Sequence, residues 1–369
     1  MRERNRFESE MVDLEFETSD SHSLPAKPKP RKKRYLFVAS FDHEDATHNL
    51  SDYCINRIKR ILAKTKGADL DPLISFTLFD VKPGKIKNFD VAGTKRVWTE
   101  VKTFTPVTRA NYTGRVFHKS PTGVMSITDV YEFVREIGRT DPGTVEELNF
   151  FGHGWHGGPI LVNSQDGRKG TPPRDPDDKD GRGSKDFRSP NMDAAARTEL
   201  SSAFAPDGFT WLWGCVFAAA PFQVLHRLLT NRVYLSGKLK DSDLIKLNFT
   251  TTHANQFFAA VPSFFPAMRA DGTFPLSFDR SLTDIKDLCQ LMVDSGYCKK
   301  IATATNRKCY GALPGTYSDF EKGVALPLML VPTRRPPYSD SFWLFLDFYK
   351  KHMGMVLDPE GRGYGEHNP

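Results

Sequence analysis

The chain has 369 residues, of which 39% are hydrophobic and 28 are phenylalanine. This is enough apolar surface for one large α/β domain or two smaller ones. A formal net charge of +6 is too small to predict a nucleic-acid partner without a recognisable binding motif, and the sequence has none. We therefore expect no nucleic acid to bind.

The N-terminus is polar, and from residue 7 acidic, without the apolar segment of a signal peptide. No stretch of about 18 apolar residues occurs, so we expect no membrane span. These features predict a cytoplasmic protein, with non-classical delivery left open. The sequence says nothing about the oligomeric state.

The cysteines are odd in number and lack the spacing of a disulfide framework, which fits a reducing compartment. They are Cys54, Cys215, Cys289, Cys298 and Cys309. The last three are nine and eleven residues apart, without the close pair typical of a zinc site. Apart from Cys215, discussed below, we interpret them as core cysteines.

Residues 1–34 are predicted to be a disordered arm, because they are charged and their second half is rich in proline and lysine. Its basic end, residues 31–34, is interpreted as a solvated linker, with a localisation signal or a cleavage site as alternatives. The folded domain is predicted to span 35–350, and residues 351–369 are predicted to be a loose tail.

In the first half of the domain, apolar runs and periodicity predict three strands and two helices. The predicted strands are 35–40, 73–81 and 145–153, with a further strand-like piece at 96–104. The helices are 46–65 and one starting at Ser126, where Asp129 completes a capping pattern. The second helix carries an apolar stripe and leads into the strand that ends at His153.

The second half begins with a polar insertion, 164–190, predicted to be a flexible loop. A helix at 191–204 then precedes a strand that ends at Cys215. The remaining predicted elements are a helix at 221–229, a strand at 232–236, helices within 281–305, strands at 308–312 and 324–331, and a helix at 342–349. Alternating strands and helices predict a mostly parallel sheet with helical crossovers.

Two of the predicted strands end in residues able to do acid–base or nucleophilic chemistry. In parallel sheets, sites form beyond the carboxyl ends of the strands, so His153 and Cys215 are expected to meet. A thiol needs only a neighbouring imidazole to become a nucleophile, and the backbone N–H groups of Gly154 and Cys215 are candidate oxyanion donors. Taken by itself, a thiol at the end of an apolar strand, such as Cys215, is more often a small core residue.

The rival histidine is His156, in the glycine-rich run after His153. Two histidines three residues apart on such a loop lack helical geometry and an obvious carboxylate partner, so we predict no metal there. The insertion contains aspartates that offer a weak calcium hypothesis, but their spacing fails the EF-hand template. They are Asp175, Asp177, Asp178 and Asp180. No cofactor is expected otherwise.

Three segments resemble the caspase-like cysteine peptidases, a group that includes caspases, metacaspases, legumains, gingipains and clostripain. They are Phe150-Phe151-Gly152-His153-Gly154, Leu212-Trp213-Gly214-Cys215 and Tyr310-Gly311-Ala312-Leu313-Pro314-Gly315-Thr316-Tyr317-Ser318. The resemblance covers roughly 35–331, and their order along the chain supports it. It implies a three-layer α/β sandwich with a mostly parallel central sheet.

The same resemblance implies a cysteine endopeptidase acting on proteins or peptides through a thioester. His153 would be the general acid and base, Cys215 the nucleophile and Gly154 an oxyanion donor. The group uses a dyad, so no third aspartate is expected. Ser318, Asp319 and Trp213 would line the substrate site. Some bacterial relatives act in toxins or in cell-death and immunity pathways, which implies tight control here.

The sequence departs from the group at three places. Gly214 stands where alanine is usual, and Trp213 stands where clostripain-like enzymes have an aspartate that helps to select a basic P1 residue. Caspases continue with Ser-Trp-Arg, whereas this chain has Ser318-Asp319-Phe320. Without that arginine, specificity for aspartate is not expected. Asp319 could pair with a P1 lysine or arginine, and it could equally be a surface residue in a turn.

A basic P1 preference would make the insertion a candidate self-processing site. Its basic residues are Arg168, Lys169, Arg174, Arg182 and Lys185. Two other classes of function stay open. One is an α/β-hydrolase-type esterase with a cysteine nucleophile, although Trp213 and Phe217 replace both glycines of its motif and its histidine would follow the nucleophile, as His226, His253 or His352 do. The other is a catalytically silent caspase-like scaffold.

Overall fold

A computed structural model describes residues 31–42, 48–65, 67–108, 123–163, 183–216, 219–251, 254, 262–266, 272–273, 275–331 and 342–369. Lys32–Pro369 forms one compact unit. The predicted N-terminal arm, apart from its last residues, lies outside the described part of the chain, and so do residues 164–182 of the predicted insertion.

The strands are β1 (Lys33–Ala39), β2 (Ile74–Asp80), β3 (Lys85–Ala92), β4 (Lys95–Thr103), β5 (Val145–Phe151), β6 (His153–Trp155), β7 (Gly158–Ile160), β8 (Phe204–Leu212), β9 (Leu244–Asn248), β10 (Ser277–Ser281), β11 (Cys309–Gly311), β12 (Asp319–Phe320), β13 (Met329–Leu330) and β14 (Gly365–His367). The helices are α1 (Leu50–Lys64), α2 (Ile127–Thr140), α3 (Gly183–Asp186), α4 (Ala194–Ala203), α5 (Ala219–Leu229), α6 (Arg232–Leu235), α7 (Leu282–Ser295), α8 (Tyr297–Thr305) and α9 (Phe342–Met353). Short 3₁₀ turns occupy Ala68–Leu70 and Pro262–Phe264.

Eight of these strands form the central sheet, in the order β14-β11-β8-β5-β1-β2-β3-β4. The five inner strands, from β11 to β2, run parallel to one another. The strands at the two edges, β14 on one side and β3 with β4 on the other, pair antiparallel. The pairs β6–β7, β9–β10 and β12–β13 form small separate ribbons.

Each inner strand is apolar on both faces and serves two cores. In β1, Phe37 and Ala39 belong to one core, whereas Leu36 and Val38 belong to the other. Helices α1, α5, α7 and α9 pack into the first core, and α2, α4 and α8 into the second. Strands buried on both faces are typical of parallel sheets covered by helices. The predicted α/β class, with a mostly parallel sheet between helical layers, is confirmed.

Helix α2 forms as its sequence predicts. Ser126 and Asp129 make a capping box, in which the Ser126 N–H donates to Asp129 Oδ2 at 2.9 Å. The apolar stripe of the helix is buried in the second core. Among the helices of the described residues, none combines the length and apolar composition needed to cross a bilayer.

The structure corrects the predicted strand at 232–236, which is the short helix α6. The Asn231 side chain caps this helix by accepting hydrogen bonds from the N–H groups of Val233 and Tyr234, at 2.9 and 3.2 Å. An asparagine cap stabilises a first helical turn and here outweighs the β-branched and aromatic residues that suggested a strand.

The predicted loose tail is also wrong. Residues 351–369 complete α9 and add β14 to the edge of the central sheet, and Tyr364 is fully buried. Part of the insertion is packed as well, because Asp186 and Phe187 are buried and Asp186 accepts a hydrogen bond from Tyr297 at 2.9 Å. Both segments were misjudged because their partners lie far away in the sequence.

A buried charge network ties the C-terminal segment to the sheet. Arg57 on α1 donates two hydrogen bonds to Glu147 on β5, at 2.9 and 3.1 Å, and a third to Glu360 at 2.7 Å. Burial alone would raise the pKa of Glu360, but the charge of Arg57 and hydrogen bonds from Arg57 and Lys64 hold that pKa at about 2. The ionised carboxylate therefore stabilises the folded state.

We expect Glu360→Gln to lower the free energy of unfolding by roughly 1–2 kcal/mol at about pH 7, after allowance for partial exposure. The contribution of a carboxyl with a lowered pKa is fully present above its unfolded value and is lost as the pH falls through its folded value. The difference between mutant and wild type should therefore shrink below about pH 4.5. Urea unfolding at about pH 7 and about pH 3.5 measures it.

The matched control is Glu100→Gln, which removes an exposed ion pair with Lys85 and should change the stability little. An unfolding difference for Glu360→Gln that stays constant across this pH range would show that the lowered pKa does not stabilise the fold.

Candidate active site

The two strand ends meet because β5 and β8 are neighbours in register. Phe150 lies opposite Leu212, and the Trp213 N–H donates to Phe150 O at 2.9 Å, one residue beyond the end of β8. His153 follows β5 by two residues, and Cys215 follows β8 by three. The structure thus brings the two predicted catalytic residues to the same edge of the sheet.

Glycines allow the two segments to touch beyond the strands. A Cβ added at Gly154 would lie 2.7 Å from Cys215 O, and one added at Gly214 would lie 2.7 Å from Gly152 O and 3.0 Å from Gly154 N. Real Cβ atoms do not approach backbone this closely. The unusual glycine at 214 is therefore explained by the backbone that faces it. The predicted oxyanion donors, Gly154 and Cys215, lie on these adjoining segments.

The Cys215 sulfur is held by the segment that follows β11. The Ser318 N–H donates to Cys215 Sγ at 3.2 Å, and Ser318 Oγ donates to Gly214 O at 2.8 Å. An N–H donor aimed at sulfur stabilises negative charge on it. The predicted substrate-site residue Ser318 is thus in direct contact with the predicted nucleophile.

Tyr364 supports this arrangement from the C-terminal segment. Its hydroxyl donates to Trp213 O at 2.9 Å and lies 3.1 Å from Ser318 Oγ. Burial raises the pKa of Tyr364, so the phenol stays protonated and remains a donor. The sequence did not identify this residue, because the segment around it had been predicted to be a loose tail.

The imidazole of His153 is oriented by a carboxylate that the dyad hypothesis did not include. His153 Nε2 lies 3.2 Å from Asp42 Oδ2, and the other oxygen of Asp42 accepts a hydrogen bond from Asn163 Nδ2 at 2.7 Å. The His153 side chain is 43% exposed and that of Asp42 is 14% exposed.

Asp42 could have been found from the sequence. It follows the predicted strand 35–40 by two residues, so it belongs to the same carboxyl edge as His153 and Cys215. The missing information was that β1 and β5 are neighbours in the sheet. Asn163 gave no comparable signal, because it comes at the start of a polar insertion.

Asp319 follows Ser318 and starts the short strand β12. Its side chain accepts a hydrogen bond from the Phe320 N–H at 2.8 Å. Phe320 stacks on His48, with ring centroids 3.9 Å apart, and Tyr53 is hydrogen-bonded to His48 Nδ1 at 3.0 Å. The structure therefore places Asp319 beside an aromatic cluster, one residue from the contact with Cys215.

Trp213, expected to line the substrate site, lies in the core instead. It is fully buried, stacked between Phe151 and Trp211 with centroid distances of 4.9 and 4.2 Å. Its indole N–H donates to Asn149 Oδ1 at 3.0 Å. A side chain with no exposed surface does not contact a substrate, so the prediction for Trp213 is corrected to a packing role directly before Gly214.

The rival histidines have other contacts. His156 lies at the junction of α7 and α8, where its carbonyl accepts from the Tyr297 N–H at 3.1 Å and its ring approaches Ser295 Oγ at 3.3 Å. Burial lowers the pKa of His156, which favours a neutral ring. His226 packs on Phe222, and His352 packs on Tyr234 and Phe348. His253 lies outside the described residues.

Within the described residues, no cluster of three or more histidine, cysteine, aspartate or glutamate side chains could hold a metal ion. The aspartates of the weak calcium hypothesis, 175, 177, 178 and 180, lie in the part of the insertion that the structure does not describe.

Comparison with known families and with curated proteins finds no match to this chain. Among solved structures, the chain is similar to a secreted C11 cysteine protease from Bacteroides thetaiotaomicron, determined by X-ray in complex with an irreversible peptide inhibitor. The identity is 11%, over 71% of this chain and 69% of that one, with a TM-score of 0.26. At this level of similarity, function has to be inferred from the site itself.

We expect Asp42→Asn to slow the alkylation of Cys215 by iodoacetamide roughly five- to thirtyfold, because a hydrogen bond to a charged group contributes about 1–2 kcal/mol when partly buried. The amide keeps the shape of Asp42 but has one oxygen, so it cannot accept hydrogen bonds from His153 and Asn163 as the two carboxylate oxygens do, and the imidazole is less well oriented to take the thiol proton. Timed labelling followed by mass spectrometry of the Cys215 peptide measures the rate.

Asp141→Asn is the control, since Asp141 pairs with Arg34 at 2.8 Å at the opposite edge of the sheet and should leave the rate unchanged. If Asp42→Asn and Asp141→Asn label at the wild-type rate alike, Asp42 does not act on the thiol through His153.

Proposed function

We propose that this chain is a cysteine endopeptidase with Cys215 as the nucleophile and His153 as the general acid and base. The observation that carries the proposal is the close approach of the segments that bear His153 and Cys215, where a Cβ added at Gly154 would lie 2.7 Å from Cys215 O, while the Ser318 N–H contacts the sulfur. The resemblance of the three segments to the caspase-like peptidases supports the same conclusion.

In the proposed reaction, the Cys215 thiolate attacks the carbonyl carbon of the scissile peptide bond. The negative charge that develops on the carbonyl oxygen is stabilised by the N–H groups of Gly154 and Cys215. His153 then gives a proton to the leaving amine, the C–N bond breaks and a thioester remains. His153 then takes a proton from water, whose oxygen attacks the thioester; the C–S bond breaks, and the carboxylic acid and the Cys215 thiolate are released beside protonated His153.

Asp42 is a positioning residue in this proposal. By accepting at Nε2 it fixes the plane of the ring and leaves Nδ1 for the proton transfers. Asn163 in turn fixes the carboxylate of Asp42. Because the His153 side chain is partly exposed, its orientation depends more on Asp42 and Asn163 than on packing. This explains why a carboxylate is useful beside a catalytic dyad.

We expect wild type to cleave members of a mixed peptide library and Cys215→Ala and His153→Ala to lower kcat/KM by at least about 10³-fold, the scale for loss of a nucleophile or its base. Mass spectrometry of the cleaved library gives both the rates and the sites. His156→Ala is the matched control and should retain activity, because His156 contacts Ser295 and Tyr297 rather than the strand ends.

Cleavage retained in Cys215→Ala would exclude the proposed mechanism. Hydrolysis of esters without any cleavage of peptides, lost in the same variant, would favour the esterase alternative. The absence of turnover in wild type together with normal alkylation of Cys215 would favour a silent scaffold.

The proposal includes selection of a basic P1 side chain by Asp319. The carboxylate lies one residue from the Ser318 contact with the nucleophile, within reach of a long side chain next to the scissile bond. The charge of Asp319 acts on a neighbouring side chain, because burial together with Asp52 and Asp319 raises the pKa of Tyr53. A partly buried carboxylate pairs well with guanidinium or ammonium.

We expect Asp319→Asn to reduce kcat/KM for P1 arginine and lysine substrates roughly tenfold or more while changing uncharged P1 substrates less than about threefold, since a charge-assisted pair contributes about 1.5–3 kcal/mol. The ratio of the two kcat/KM values measures specificity independently of protein stability. Asp279→Asn, on the separate β9–β10 ribbon, is the control.

A P1 profile without arginine or lysine in wild type would contradict the role of Asp319. With such a preference, the basic residues of the insertion become substrates for self-processing, detectable as cleavage between 164 and 190 that is absent in Cys215→Ala.

A further inference from the structure

A cluster of two thiols and an imidazole lies beside β14, the outermost strand on one side of the central sheet. In the antiparallel pairing of β11 with β14, Cys309 lies directly opposite His367. Residues opposite each other in such a pair point to the same face of the sheet. Cys309 belongs to the core that α8 covers, so both side chains face that helix.

Cys298 projects from α8 onto this pair. Gly311 is two residues beyond Cys309 and therefore on the same face of β11, and a Cβ added there would collide with Cys298 Sγ. The absence of a side chain at 311 thus makes room for the thiol. Cys298, Cys309 and His367 are only 3%, 0% and 4% exposed.

The three groups interact electrostatically. A hydrogen bond from Cys309 and the neighbouring imidazole of His367 lower the pKa of Cys298, against the effect of burial. Burial and the proximity of Cys298 raise the pKa of Cys309. Neither ring nitrogen of His367 has an aligned hydrogen-bond partner among the described residues. The surroundings therefore favour ionisation of Cys298 over that of Cys309.

Two other buried cysteines provide a contrast within the same chain. Cys54 and Cys289 are also fully buried, but burial raises the pKa of each, and the groups that act on them are carboxylates and a tyrosine rather than a second thiol or an imidazole. A buried cysteine of this kind is an inert core residue. The difference in surroundings, at equal burial, points to chemistry at Cys298.

We propose that Cys298 and Cys309 form a dithiol that hydroperoxides convert into a disulfide. The Cys298 thiolate attacks one peroxide oxygen, the O–O bond breaks, and the other oxygen leaves as water or an alcohol after taking up a proton. Cys298 is then a sulfenic acid. The Cys309 sulfur attacks it, the S–S bond forms, and the sulfenic oxygen leaves as water with the Cys309 proton.

Because Cys298, Cys309 and His367 are buried, the proposed reaction requires local opening of β14 to admit the oxidant. This strand has three residues at the edge of the sheet, and a three-residue edge strand opens more easily than the inner strands. Its neighbours Asn368 and Pro369 are held by Lys299 of α8 through two hydrogen bonds, at 2.9 and 2.8 Å. Opening has to break these two hydrogen bonds, but it does not involve the other core, which contains Cys54 and Cys289.

The test uses the full chain carrying Cys215→Ser, so that the proposed nucleophile does not compete for oxidant and the result does not depend on the proposed function. The reduced protein is exposed to hydrogen peroxide, blocked with N-ethylmaleimide, digested and analysed by mass spectrometry. We expect a linked Cys298–Cys309 peptide to accumulate at least roughly tenfold faster than Cys54 or Cys289 is oxidised, the scale expected for an ionised against a neutral thiol.

Two further variants separate chemistry from folding. Cys309→Ser should stop the reaction at the Cys298 sulfenic acid, which dimedone labels. His367→Gln should slow disulfide formation roughly threefold or more, and circular dichroism identifies a variant that has lost its fold. If Cys309→Ser does not fold, His367→Gln and the comparison with Cys54 and Cys289 in the parent still decide the matter.

The proposal is overturned if no Cys298–Cys309 peptide forms, or if Cys298 is oxidised no faster than Cys54 and Cys289. Simultaneous oxidation of all four cysteines would also overturn it, because that result requires global unfolding rather than a reactive pair.

Discussion

The site depends on how closely two backbone segments approach at the end of the β5–β8 pair. Parallel strands deliver their last residues to one edge of a sheet, but side chains usually keep the following loops apart. Here Gly154 and Gly214 remove those side chains, and the backbone atoms of the two loops come into contact. His153 and Cys215 are fixed by this contact because each is bonded directly to one of the glycines. Register and glycine position therefore do more for the geometry than any side-chain interaction.

The C-terminal segment also stabilises the segment that leads from β8 to Cys215. Arg57 lies over the rings of Trp211 and Trp213, at 5.4 and 5.7 Å, while its hydrogen bonds go to Glu147 and Glu360. The stacked tryptophans end directly before Gly214. Because a buried ion pair is costly unless every donor is satisfied, this network favours one arrangement of the strand ends. Tyr364 adds a direct hydrogen bond to the backbone of Trp213. Folding of the last residues is thus coupled to the geometry around Cys215.

The sequence predicted what local pattern and sheet topology determine. Aromatic runs ending at His153 and Cys215, the capping box at Ser126 and the alternation of strands and helices were sufficient for the α/β class and for the edge on which the site lies. The sequence did not predict the features that depend on residues far away along the chain. Asp42 acquires its role only when β1 lies beside β5, and Tyr364 only when the last strand joins β11. The position of Trp213 was wrongly predicted for the same reason. An aromatic residue before a glycine has the same sequence pattern whether its side chain lies on the surface or is stacked in the core.

The position of the charges follows from this architecture. Trp213, the residue before Gly214, packs in the core with Arg57 and Trp211. This position therefore contributes to packing and does not contact a substrate. The segment after β11 reaches the sulfur through Ser318. Under our proposal the next residue, Asp319, supplies the carboxylate that pairs with a basic side chain. The same segment follows β11, whose first residue, Cys309, lies nine residues before Ser318. Under our two proposals, one short stretch of chain therefore carries both a thiol of the redox pair and the residues beside the Cys215 sulfur.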